Sequence, residues 1–139
     1  MTINLTFLDP KLTITASNIS LTERKITRFS RFTDGWSYGR GEAFSGQAIE
    51  NALIIARKFN SYGFLETNAL PGESGEIMIT AYTKECCCEI IAYANMQYDF
   101  ILEKNDNEIE RKETIDFETL VELILNFKVI ATCRPVHLY

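Results

Sequence analysis

The chain has 139 residues and a formal net charge of −5, and 46% of its residues are hydrophobic. These values are typical of globular proteins and predict one domain over residues 1–139. They exclude a membrane-spanning helix, because no apolar run approaches the roughly 20 residues that a bilayer requires. The acidic balance argues against general nucleic-acid binding.

Two features of the sequence predict a cytoplasmic protein. Residues 1–10 lack the basic start and the long apolar stretch of a signal peptide. Three of the four cysteines, Cys86, Cys87 and Cys88, are consecutive. Neighbouring side chains on a strand point to opposite faces, which makes adjacent cysteines a poor disulfide framework. We expect them to be reduced and to act as small apolar residues.

The N-terminal part of the chain predicts an extended segment followed by a helix. Residues 1–17 favour one or two strands, because apolar residues alternate with threonines in their second half. Ser20 and Glu23 have the spacing of a capping box, so a helix should begin there. Asp34 and Gly35 are expected to end it.

A second helix is predicted between Ser45, a favourable N-cap, and Gly63, which accepts the left-handed conformation that ends helices. Its apolar residues repeat at helical spacing, and the apolar face they form is wide enough to suggest a central position in the fold. They are Ile49, Ala52, Leu53, Ala56 and Phe59.

The middle of the chain predicts antiparallel strands joined by short turns. Alternating or apolar segments at 64–69, 77–82, 85–94 and 98–103 are separated by turn residues, and 108–114 favours a short exposed edge strand. Strands this close together leave no room for helical crossovers, so they must pair antiparallel.

A last helix is predicted from Asp116, followed by an apolar tail at 129–139 that would add an edge strand or contact another subunit. Together the elements predict an α+β fold. We expect an antiparallel β-meander sheet of four to six strands with about three helices packed mainly on one face.

The most distinctive segment is 35–41, which reads Gly-Trp-Ser-Tyr-Gly-Arg-Gly. It lacks the Gly-Lys-Ser/Thr ending of a phosphate-binding P-loop and the third glycine of a dinucleotide fingerprint. Its aromatic residues would either stack on a ligand or fill the gap between helices and sheet. In the second case we expect Trp36 to be largely buried, with its indole N–H bonded to a carbonyl. The candidate ligand-binding residues are Trp36, Tyr38, Gly39, Arg40 and Gly41.

This segment also carries a resemblance. Asp34-Gly35-Trp36-Ser37-Tyr38-Gly39, followed by Phe44-Ser45 and Ala48-Ile49-x-x-Ala52, resembles small uncharacterised bacterial α+β proteins with a Trp-Asp-Gly-Tyr-Gly-like box before a helix. The chain departs from that box at Ser37 and at the additional Gly41. The resemblance would extend over 34–127 and implies a strand meander and a closing helix, but no activity.

Charge is distributed unevenly along the chain. Residues 21–40 contain five basic and two acidic residues, whereas 99–122 contain three basic and nine acidic residues. Three of the bases, Arg24, Arg28 and Arg31, have the spacing of one helix face and are the candidate nucleic-acid-binding residues. The same asymmetry suits a homodimer or a charged protein partner.

Cys86, Cys88, Cys133 and His137 are the candidate ligands of a zinc site, because three thiolates and an imidazole suit Zn²⁺. The Cys-x-Cys spacing is not that of a zinc knuckle, so we expect Cys86 and Cys88 to fill the core beneath a helix, with no metal and no cofactor. The acidic residues favour a solvated surface, and a histidine three residues from the end is poorly placed as a catalytic base.

The sequence therefore favours a non-enzymatic protein-interaction module, such as a regulatory or antitoxin-like partner of another protein. Two alternatives stay open at this point. One is nucleic-acid contact through the first helix, and the other is small-molecule binding at 35–41.

Overall fold

The computed structural model describes residues 19–132. Three helices and five strands lie in this part of the chain. They are α1 (Leu21–Phe29), α2 (Gly46–Ser61), β1 (Glu66–Pro71), β2 (Ile77–Tyr82), β3 (Cys86–Ala92), β4 (Tyr98–Lys104), β5 (Asn107–Ile115) and α3 (Phe117–Thr132). None of the described helices is long and apolar enough to cross a membrane. The extended segment predicted at 1–17 lies outside the described residues.

All three predicted helix starts are confirmed by their caps, and at the third the Asp116 carboxylate accepts a hydrogen bond from the Thr119 N–H at 2.9 Å. The Ser20 hydroxyl accepts a hydrogen bond from the Glu23 backbone N–H at 3.1 Å, and the Ser45 hydroxyl accepts one from the Ala48 N–H at 3.0 Å. Each bond satisfies a backbone donor that has no partner within its own helix.

The first helix is shorter than predicted. It ends at Phe29 instead of continuing to Asp34, because the N–H groups of 30–32 bond to carbonyls three residues back. These tighter turns unwind the last part of the helix and direct the chain into the following loop.

The five strands form one antiparallel sheet in the order β1-β2-β3-β4-β5, which confirms the predicted meander and the α+β fold. β5 is a full nine-residue strand, longer than the short edge strand expected at 108–114. The turn between β4 and β5 is tight, with Asn105 and Asp106 both at positive φ, and this favours continuous pairing.

One face of the sheet packs against the helices. Alternate residues of β2, β3 and β4 are buried there with Ile26 of α1, Ile55 of α2 and Leu120 of α3. The sheet contributes Ile77, Ile79, Ala81, Cys86, Cys88, Ile90, Ala92, Tyr98, Phe100 and Leu102. No helix among the described residues contributes to a core on the other face, which we call the open face.

The C-terminal prediction is wrong in part. Residues 129–132 continue α3 rather than begin a tail, because Val129 and Ile130 are compatible with the helix and no breaker precedes Pro135. Residues 133–139, including the rest of the expected tail, lie outside the described part of the chain.

Candidate functional site

The glycine-rich segment folds into a tight hairpin. The Ser37 N–H donates to the Arg40 carbonyl at 2.6 Å, and the Arg40 N–H donates back to Ser37 at 2.9 Å. Between them Tyr38 and Gly39 both have positive φ, at 54° and 86°. Positive φ at both central residues is the mark of a type I′ turn. We call residues 34–44 the Tyr38 hairpin.

Trp36 anchors the hairpin at the margin of the core. Its ring packs against those of Phe32 and Phe44, with centroids 5.1 and 5.8 Å away. Its indole N–H donates to the Glu42 carbonyl at 2.9 Å, which confirms the predicted bond. Trp36 is partly buried and packs against the core cluster, with most of its surface covered as expected. It lies at the margin of the cluster, beside Phe32 and Phe44.

Gly41 is required by the position of the indole. A Cβ added at this residue would lie 2.7 Å from Cε2 and Nε1 of Trp36, closer than side-chain atoms approach one another. Its φ of +97° is also unfavourable for any L-residue with a side chain. Trp36 and Gly41 therefore form one packed unit.

Glu73, in the turn between β1 and β2, holds the hairpin in place. Its carboxylate accepts a hydrogen bond from the Ser37 hydroxyl at 2.7 Å and lies 3.4 Å from the Arg40 guanidinium. Its backbone carbonyl accepts a bond from the Glu42 N–H at 2.9 Å. Glu73 is 36 residues from Ser37, so no local pattern in the sequence indicated this contact.

Tyr38 lies at the tip of the hairpin and is fully exposed, with a relative accessibility of 102%. The two aromatic residues predicted to bind a ligand therefore point in different directions. Trp36 faces the core and Tyr38 faces solvent. The structure brings Trp36 and Gly41 together and joins Arg40 to Glu73, while Tyr38 and Gly39 project as the turn. The described surface clefts are lined by other residues.

Arg24 and Arg28 of α1, and Arg31 two residues after its end, are exposed. None of Arg24, Arg28 and Arg31 forms an ion pair with another described residue. Nucleic-acid contact through Arg24, Arg28 and Arg31 stays a prediction.

Cys86 and Cys88 are buried and belong to the core, as predicted. Burial raises the pKa of the Cys88 thiol well above its usual range. Burial also raises the pKa of Cys87 to about 11, with the neighbouring Glu89 carboxylate adding to the effect. Thiols of this kind are poor nucleophiles. Within 19–132, no three His, Cys, Asp or Glu side chains are grouped so that they could hold a metal ion. Cys133 and His137 lie outside the described residues.

The chain matches no family model, no curated protein and no solved structure. The resemblance of 34–127 to small bacterial proteins therefore stays a prediction.

One polar cluster could not be predicted from the sequence pattern. Asp99 on β4 is 8% exposed, although the alternation of the strand turns it away from the helices. Its carboxylate accepts hydrogen bonds from the Tyr93 hydroxyl at 2.7 Å and from the Thr114 N–H at 3.0 Å. The hydrogen bond from the Tyr93 hydroxyl to Asp99, together with burial and the Asp99 charge, raises the pKa of Tyr93 to about 12. Both oxygens have a protein donor, so the cluster stabilises the sheet.

Proposed function

We propose that the chain is a non-enzymatic protein-interaction module and that Tyr38 is the anchor of its binding surface. The partner would be a protein that it regulates in an antitoxin-like manner, with a pocket that receives the phenol ring. The observation that supports this proposal is a fully exposed tyrosine held in a left-handed conformation on a braced hairpin.

The backbone of Tyr38 is costly for the isolated chain. A non-glycine residue in the left-handed region is disfavoured by about 1–2 kcal/mol. Asparagine or glycine would satisfy the same type I′ turn more cheaply. A large aromatic side chain at this position contributes nothing to the core, and tyrosine is among the residues that dominate binding energy at protein interfaces.

The bracing of the hairpin favours binding to a folded partner. Glu73 and Trp36 fix the two strands of the hairpin on either side of Tyr38. A rigid loop loses little conformational freedom when it binds, so more of the contact energy appears as affinity.

The two alternatives have less support from the same geometry. A small-molecule site needs convergent groups around a cleft, but Trp36 packs inward while Tyr38 projects outward. Nucleic-acid contact would use the exposed Arg24, Arg28 and Arg31, but the net charge of −5 opposes general binding of a polyanion.

The experiment compares Tyr38→Asn with Met96→Asn. Both residues are exposed and have positive φ, at 54° and 68°, and Met96 lies in the turn between β3 and β4. Tyr38→Asn should stabilise the fold by about 1 kcal/mol, because asparagine tolerates the left-handed region better. Met96→Asn should gain less, because the Met96 sulfur accepts a hydrogen bond from the buried Asn51 amide at 3.1 Å. Only Tyr38→Asn should abolish binding to a partner, which is sought among purified products of neighbouring genes by biolayer interferometry.

Two outcomes would contradict the proposal. One is a partner that binds wild type and Tyr38→Asn with equal affinity. The other is tight binding of a labelled RNA or DNA duplex at physiological salt that is lost in Arg24→Glu/Arg28→Glu/Arg31→Glu, which would support the nucleic-acid alternative.

A further inference from the structure

Met96 joins the turn between β3 and β4 to helix α2. The turn is closed by two backbone hydrogen bonds, from the Tyr93 N–H to the Gln97 carbonyl at 3.0 Å and from the Met96 N–H to the Tyr93 carbonyl at 3.2 Å. Met96 is 47% exposed, and its sulfur lies 3.1 Å from the side-chain nitrogen of Asn51 on α2. The thioether side chain thus reaches from the surface to an amide in the interior.

Asn51 is a buried amide with a poor acceptor. It is 4% exposed, and its side-chain oxygen accepts a hydrogen bond from the Gln47 amide at 3.0 Å. Its side-chain nitrogen carries two N–H groups, and among the described residues the acceptor for this nitrogen is the Met96 sulfur. A thioether accepts only weakly, and a buried donor without a good acceptor lowers the stability of a fold. An oxygen atom at this position would serve Asn51 better than sulfur does.

We infer that Met96 is a site of reversible oxidation by hydroperoxides, and that its sulfoxide oxygen becomes the acceptor for Asn51. A lone pair of the sulfur attacks the terminal oxygen of the hydroperoxide, so the S–O bond forms as the O–O bond breaks. The proton on the transferred oxygen passes to the departing oxygen, which leaves as water or an alcohol. The thioether loses two electrons and the peroxide gains them.

The position of Met96 lets the new oxygen reach the amide. The side chain is unbranched, and it extends from an exposed turn. It can therefore withdraw by the length of the new bond and rotate the sulfoxide oxygen toward the Asn51 N–H. The oxidised residue would hold the turn to α2 more firmly than the reduced one, because a sulfoxide oxygen is a stronger acceptor than a thioether sulfur.

Met78 provides the comparison within the same chain. It is half-buried on the open face, in register with Leu70 and Ile91 on the neighbouring strands. These side chains have no hydrogen-bond donor. Oxidation usually lowers stability because it makes an apolar side chain polar, and Met78 should follow that rule. Met96 should depart from it.

The experiment treats the full chain carrying Met78→Leu with hydrogen peroxide. Peptide mapping by mass spectrometry should find the sulfoxide at Met96. The midpoint of urea unfolding should then rise, with a gain of about three- to tenfold in the ratio of folded to unfolded protein, the worth of one hydrogen bond. Methionine sulfoxide reductase should return the midpoint to its starting value. Met78→Leu/Met96→Leu, treated in the same way, is the control for oxidation elsewhere in the chain and should show no rise.

Two further variants isolate the role of Asn51. Asn51→Leu, added to Met78→Leu, removes the donor at similar side-chain size, so oxidation of Met96 should now lower the midpoint. Met96→Gln supplies an acceptor oxygen without any oxidant. It should exceed Met96→Leu in stability by the same three- to tenfold, because the two side chains differ mainly in their polar atoms.

Three results would overturn the inference. The first is a Met96 that stays reduced in the folded chain while N-acetylmethionine amide in the same solution is oxidised. The second is a midpoint that falls on oxidation by the same amount with Asn51 and with Asn51→Leu. The third is equal stability of Met96→Gln and Met96→Leu. None of these measurements involves a binding partner, so their outcome is independent of the role proposed for Tyr38.

Discussion

Asp99 is a buried carboxylate that compensates for an irregularity in the sheet. Between Tyr98 and Phe100 the pairing with β5 shifts by one residue, so that Glu113 and Thr114 both oppose Asp99. Thr114 has a φ of 57°, and its N–H bonds to the Asp99 side chain. The carboxylate thus satisfies a backbone donor at the bulge.

This cluster predicts a pH dependence. Tyr93 has a pKa of about 12 in the fold against 10.0 for the free side chain. The stabilisation that the Tyr93–Asp99 hydrogen bond gives the fold is therefore fully present below pH 10. It is lost as the pH rises toward 12. Unfolding midpoints in urea should fall over this interval in wild type and change less in Tyr93→Phe. Equal slopes for the two proteins would contradict this assignment.

The contact of Gly41 with Trp36 gives a second prediction for single residues. The added Cβ of Gly39→Ala meets no atom within 4 Å. This substitution should lower the free energy of unfolding by about 1 kcal/mol, the cost of a side chain in the left-handed region. Gly41→Ala adds a clash with the indole and should cost about 2–3 kcal/mol, with a shift in tryptophan emission. Urea denaturation measures both, and equal losses would show that the indole moves aside freely.

At the scale of elements, α2 depends on its cap. Ser45 supplies the acceptor for the Ala48 N–H, and α2 contributes more to the core than α1 does. Ser45→Ala should lower the free energy of unfolding by about 1 kcal/mol, whereas Ser45→Asp should retain it. Thermal and urea unfolding would check this, and a loss in Ser45→Asp equal to that in Ser45→Ala would argue against the cap.

Local patterns were sufficient to predict the helices and the meander. Ser20 and Ser45 marked helix starts, and the alternation at 77–82 matched β2, because capping and strand pleating act over a few residues. Contacts between distant residues have no local signal in the sequence. The bracing of the hairpin by Glu73 depends on how separate elements pack, which no short pattern encodes.

The same reasoning applies to the candidate site. The sequence singled out Tyr38 and Trp36 as a pair, but their opposite directions result from the type I′ turn. A Tyr-Gly dipeptide is a weak signal for that turn, since asparagine or aspartate usually precedes the glycine. The burial of Asp99 was missed because alternation places it on the open face, where a charged residue is expected to be solvated.

Considered as a whole, the molecule is electrically polar. Arg24 and Arg28 are exposed on α1, which packs beside β1. At the opposite edge of the sheet, β4 and β5 carry Asp99, Glu103, Glu108, Glu110 and Glu113. A partner would therefore be oriented by charge before any contact forms, and association rates should fall as salt is added. Stopped-flow measurement of association at two ionic strengths checks this, and salt-independent rates would contradict it.

The meander also has a consequence for how the chain folds as it is synthesised. Every strand pairs with its neighbour along the chain, so each hairpin can close as soon as its second strand leaves the ribosome. The helices α1 and α2 emerge before these five strands, so Ile26, Ile55 and Phe59, all buried in the final fold, lack their contacts with β2 and β3 until those strands have formed. Slowing translation between α2 and β2 should therefore lengthen the exposure of these residues and raise the demand of the nascent chain for chaperones.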